Sequence, residues 1–92
     1  MRDIPETATQ ADELVAGEIR AALARARMTQ SALADQLGVS RAWVSRRLSG
    51  EVPLSVGDVA LIAGQLGVAF ASLAAPLDDP RSQRDMSAHR ER

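Results

Sequence analysis

The chain contains no cysteine, no lysine and no tyrosine, and only one tryptophan, one phenylalanine and one histidine. Without cysteine there is no disulfide framework and no thiolate metal site, which fits a reducing compartment. Aromatic residues make up 2% of the sequence while hydrophobic residues make up 46%, so a core must be assembled from Leu, Val, Ile and Ala. Those are the materials of a helical bundle, and no strand-like alternation or internal repeat interrupts that pattern. The one histidine, His89, lies in a polar stretch near the C-terminus, and no glycine-rich phosphate loop or metal-ligand spacing is present. Scattered carboxylates such as Asp35 and Asp58 read as surface and cap residues. These absences argue against an enzyme, a metal site or a bound cofactor. No apolar run approaches the ~20 residues that cross a bilayer, and the opening MRDIPETATQADE is too polar for a secretory signal. The expectation is one cytoplasmic, soluble all-α domain.

The 92 residues carry a formal charge of −1, yet that charge is unevenly distributed. Residues 1–19 sum to −4, residues 20–50 to +5, residues 51–80 to −4, and the stretch from Arg81 onward to +2. The positive segment holds Arg20, Arg25, Arg27, Arg41, Arg46 and Arg47 against Asp35 alone. A local cationic patch, rather than the overall isoelectric point, decides whether a polyanion is attracted. All eleven basic residues are Arg, whose planar fork suits phosphate and guanine edges better than the point charge of Lys.

Along the chain, residues 1–8 carry Pro5 and mixed charge without apolar period and read as an arm. Thr9 and Asp12 have the spacing of a capping box, after which Leu14, Val15, Ile19, Ala22, Leu23 and Ala26 trace one stripe of a first helix ending near Arg27. Its acidic residues come early and its arginines late, as the helix dipole favours. The simplest reading of Arg20, Arg25 and Arg27 individually is a solvated face. Pro53 interrupts the chain further on. Ser55 and Asp58 then make a second capping box, opening a helix with Val59, Ile62, Ala63 and Leu66 inward and Gly67 at its end. Val68, Phe70 and Leu73 supply a short last helix that Pro76 is expected to stop. Residues 77–92 have too little apolar surface to order themselves alone. The expected domain is therefore 9–76.

Between these parts lies the most informative stretch, residues 29–50, TQSALADQLGVSRAWVSRRLSG. Thr29 can cap a helix whose apolar positions are Leu33, Ala34 and Leu37. Gly38 stops it, and only Val39 separates that glycine from Ser40, a good cap for a helix from Arg41 to Leu48. Two helices joined so tightly cross at a large angle, as in a helix-turn-helix. Val44 and Leu48 fall one turn apart and make the inward edge. At roughly 100° per residue, the far side carries Ala42, Trp43 and Arg46, with Arg41 at the free end and Arg47 flanking. A helix built only to pack would not present that cationic face.

Thr29-Gln30, Leu33-Ala34, Leu37-Gly38-Val39-Ser40 and Trp43 through Gly50 together resemble the Cro/CI-type, XRE-like helix-turn-helix repressors of phages and bacteria. The segment PLSVGDVALIAGQLGVAFASL resembles that family's fourth and fifth helices, so the likeness spans roughly Leu14 to Leu73. It implies a compact five-helix lambda-repressor-like domain that regulates transcription, as a repressor, by placing the 41–48 helix in the major groove of a double-stranded operator. It assigns base reading to Arg41, Ala42 and Arg46, and backbone or flanking contacts to Gln30, Ser31, Ser40, Trp43, Ser45 and Arg47. For Trp43, packing against its own domain stands as an equal alternative. Arg47 stands where many relatives carry an apolar residue, so the rotation of that helix about its axis stays open. Related small repressors pair near the fifth helix, which points to a homodimer on a palindromic operator with Phe70, Leu73 and Leu77 at the seam; Phe70 could equally be core. The competing class is an antitoxin-like interaction module whose termini clasp a protein partner, with DNA binding secondary.

Overall fold

A computed structural model describes residues 9–78. The arm expected over 1–8, and the tail beyond Asp78, lie outside the described residues. Five α-helices and no strand occur within them: α1 Gln10–Ala26, α2 Gln30–Leu37, α3 Arg41–Ser49, α4 Val56–Leu66 and α5 Phe70–Asp78. This is the expected all-α arrangement. None of these helices is long and apolar enough to cross a membrane.

Each of the first four helices starts on a hydroxyl cap. The side chains of Thr9, Thr29, Ser40 and Ser55 accept from the backbone N–H of Asp12, Ala32, Trp43 and Asp58 respectively. At Thr9 and Ser55 the carboxylate three residues on returns the bond, completing both expected capping boxes. Asp12 does more than cap. Its Oδ2 accepts from the Thr9 N–H at 2.9 Å while its Oδ1 accepts from the Leu54 N–H at 2.9 Å, tying the loop before α4 to the start of α1. At the other end of α1, Arg27 occupies the left-handed region at φ 55, a conformation that disfavours side chains with a Cβ.

The helices enclose one apolar core. Ile19, Leu33, Val44, Ile62 and Leu73 are its largest fully buried members, joined by Val15, Ala16, Ala22, Leu23, Ala34, Leu48, Val59 and Ala63. α1 lies centrally, packing on α3, α4 and α5, while α2 packs on α3 and α4. The α1 stripe differs from the expected one. Ala16 is buried, Ala26 is exposed and Leu14 is half-buried, so the inward line runs through Val15, Ala16, Ile19, Ala22 and Leu23. Leu14 lies about 100° from Val15 at the rim of that line, whereas Ala26 shares its direction but is the last residue of α1, beyond the packed part of the helix.

Two expectations about α5 need correction. Pro76 lies inside the helix, which continues through Leu77 to Asp78. A proline there forfeits one helical N–H, but Leu73 on one side and Leu77 on the other both hold that turn against the core. Leu73 itself, expected at a subunit seam, is a core residue at 1% exposure. Phe70 is 40% exposed and is therefore not core, while Leu77 is half-buried.

Candidate nucleic-acid interface

The turn between α2 and α3 is built by Gly38. Its φ of 75 lies in the left-handed region, and its N–H returns to the carbonyls of Ala34 and Asp35. The Val39 N–H then bonds the Ala34 carbonyl at 3.0 Å, which closes the end of α2 and sends the chain off at a new angle. A Cβ on residue 38 would meet nothing within 4 Å, so the glycine is there for its backbone freedom alone. Ser40 follows in extended conformation, and α3 begins.

Helix α3 divides into three stripes. Val44 and Leu48 are buried on the inward edge. Arg41, Ala42, Ser45, Arg46 and Ser49 are all exposed, and their spacing of four and one residues makes them one continuous outward face. Trp43 and Arg47 form the flank between, both half-buried. The expected outward face is thereby corrected. Trp43 packs against the core cluster and does not share the open side with Ala42 and Arg46; Ser45 takes that place. Ser49 completes the face, two turns beyond Arg41 and beside Ser45, with no charge or cap spacing in the sequence to single it out.

The arginines differ in what they already hold. Arg47 places its guanidinium 4.0 Å from the Trp43 ring centroid, and its Nη1 donates to the Trp43 carbonyl at 3.1 Å. Its Nε donates to Asp58 Oδ2 at 3.2 Å, in an ion pair whose side chains are only 19% and 20% exposed. Arg20, expected as solvated, donates from Nη1 to the Leu48 carbonyl at 2.7 Å, joining α1 to the end of α3. Arg46 reaches Glu51 Oε1 at 3.7 Å with both side chains well exposed, an arrangement that water screens strongly. Arg41 is exposed at the start of α3, and Arg25 and Arg27 are exposed at the end of α1. Ser31 is exposed and Gln30 half-buried at the start of α2, where the first backbone N–H groups of a helix attract an anion.

Against known families, the model of a helix-turn-helix domain matches residues 14–75. The chain belongs to the helix-turn-helix domain family. The match takes in most of α1, all of α2, α3 and α4, and α5 as far as residue 75, and it accords with the XRE-like resemblance of the sequence. A helix-turn-helix domain is a DNA-binding domain, so DNA is the partner that membership implies. No curated protein and no solved structure matches the chain.

Proposed function

We propose that this helix-turn-helix protein is a sequence-specific transcriptional repressor that lays α3 in the major groove of a double-stranded operator. What carries the reading is the unbroken exposed face of Arg41, Ala42, Ser45 and Arg46 on the second helix of the pair, opposite Val44 and Leu48. Arg41 and Arg46 are the base-reading side chains, each able to donate to guanine O6 and N7 together. Ala42 meets a thymine methyl or gives a base room. Gln30, Ser31, Ser40 and Ser45 supply backbone and flanking contacts, and the first N–H groups of α2 face a phosphate. Residues 9–76 are the DNA-binding unit, acting in the cytoplasm on the nucleoid.

One α3 covers few base pairs, so two copies act together, on half-sites about 34 Å apart in a palindromic operator. With Leu73 buried, the pairing surface is drawn from what α5 leaves open. Phe70 and Leu77 line an apolar groove of about 160 Å³ with Ala74, Val56 and Leu54, and Val56 is 74% exposed.

Salt dependence tests the reading. Each phosphate neutralised is expected to cost a factor of about 3.5 in affinity over a fourfold rise in salt, so four contacts cost about 150-fold. Fluorescence anisotropy on a labelled duplex measures it. Affinity indifferent to salt, or equal affinity for all sequences, would contradict the reading.

A further inference from the structure

Val44 and Leu48 seat α3 against the core but do not by themselves fix how it is turned. Both lie on one edge of a nine-residue helix, and an edge of two aliphatic side chains resists lifting better than it resists rolling. A roll matters here, because even a rotation well short of the ~100° between neighbouring positions swings the ends of the long Arg41 and Arg46 side chains from one base edge toward the next. Something else must set the angle.

We propose that Trp43, Arg47 and Asp58 form a positioning device that fixes the rotation of α3 relative to α4, and hence which side chains meet the bases; the proposal rests on the DNA-binding reading above. The Arg47 guanidinium is committed three ways within its own domain: stacked on the Trp43 ring, bonded to the Trp43 carbonyl and bonded to Asp58. A planar fork stacked on one face and bonded through Nε and Nη1 is held in one orientation by its own domain. The same Asp58 Oδ2 accepts from the Ser55 N–H at 3.1 Å, so the carboxylate is held by the first turn of α4. That helix is in turn anchored through Val59, Ile62 and Ala63. At the end of α3, Arg20 of α1 grips the Leu48 carbonyl. Arg47 is therefore a positioning residue, acting on DNA through the angle of Arg41 and Arg46.

The charge of Asp58 makes the proposal separable from simple electrostatics. A carboxylate beside a DNA-binding helix repels phosphate, so removing it should strengthen binding if that were its whole influence. If it positions α3, removing it should weaken the recognition of the preferred sequence instead. The experiment uses the full chain and two probes, the duplex that the wild type selects from a random pool and an unrelated duplex of the same length. Far-UV circular dichroism fixes a temperature at which each variant is fully helical.

Asp58→Asn is expected to lose about tenfold on the selected duplex, the size of one misplaced base contact, and to bind the unrelated duplex as well as wild type or better. Arg47→Gln should reproduce the loss on the selected duplex, with only a small loss on the unrelated one from the missing charge, and the double variant should add little to the loss of selectivity. Because Trp43 is the sole tryptophan and there is no tyrosine, intrinsic emission reports this one ring, and both variants should shift it to longer wavelength. Ser55→Ala removes the acceptor for the Asp58 N–H and leaves Arg47 untouched, so it should reduce stability without changing the ratio of the two affinities. An Asp58→Asn variant that keeps that ratio would overturn the proposal. So would an Arg47→Gln variant that weakens both duplexes equally and lowers the salt slope by about one, since Arg47 would then be a phosphate contact. A selective wild type beside either outcome leaves the DNA-binding reading standing; a wild type with no preference among sequences overturns both.

Discussion

Leu73→Ala is expected to lower folding stability by about 2–5 kcal/mol and the thermal midpoint by at least about 8 °C. Leu73 is 1% exposed and is the one buried residue of α5, so its truncation leaves a cavity where that helix meets the core. A domain of this size holds only about 5–15 kcal/mol in total, which makes the loss a large share of the whole. Thermal melts by circular dichroism at two protein concentrations check it. A core role predicts the same drop at both, whereas a residue at a subunit seam would give a drop that grows with concentration, because its loss would act through association. Phe70, at 40% exposure, should show the opposite balance when truncated.

Ala42→Glu is expected to abolish DNA binding while leaving the fold intact. Residue 42 is exposed at the second position of α3, where a carboxylate is favoured by the positive end of the helix dipole, so stability should change by no more than about 0.5 kcal/mol in either direction. On DNA the same carboxylate would sit between Arg41 and Arg46, facing acceptor-rich base edges and two phosphate rails. Like charges brought together at an interface cost several kcal/mol, so affinity for the selected duplex should fall by at least about 100-fold. Equilibrium melts beside anisotropy titrations separate the two effects. Unchanged binding in a well-folded variant would mean that this face of α3 does not meet DNA.

The parts of the molecule written in local spacing were legible from the sequence. Hydroxyl caps three residues from their partners, Gly38 between two periodic segments, and the Val44–Leu48 edge are all short-range patterns, and the helices form where those patterns place them. On α1, Leu14 stretches the helical period at one edge of the stripe and Ala16 closes it at the other; Ala26 keeps the period but is the last residue of the helix, and only the packing of α3, α4 and α5 around α1 shows where burial stops. Pro76 carries a strong stop signal by itself, but burial of the leucines around it outweighs one lost hydrogen bond.

What had no local signature were the polar contacts between distant segments. Asp12 with Leu54, Arg20 with Leu48 and Arg47 with Asp58 join residues 42, 28 and 11 apart, and nothing in their sequence neighbourhoods announces the partner. Arg47 and Trp43 therefore read as part of a cationic outer face when only α3 was in view. With Asp58 of the first turn of α4 within reach, a tryptophan covered by a guanidinium and a guanidinium neutralised by a carboxylate belong to the domain's own structure. The outward face is left narrower, with Arg41 and Arg46 as its charges.

In the proposed binding mode, Arg46 reaches a base. Its contact with Glu51 is long and exposed, so little holds the guanidinium back from a groove. Selection of bound duplexes from a random pool, wild type beside Arg46→Ala, measures this most directly. The expected result is that the variant relaxes its preference at one position of each half-site and loses about 1–3 kcal/mol on the wild-type sequence. An even loss across all sequences, with every positional preference retained, would contradict it.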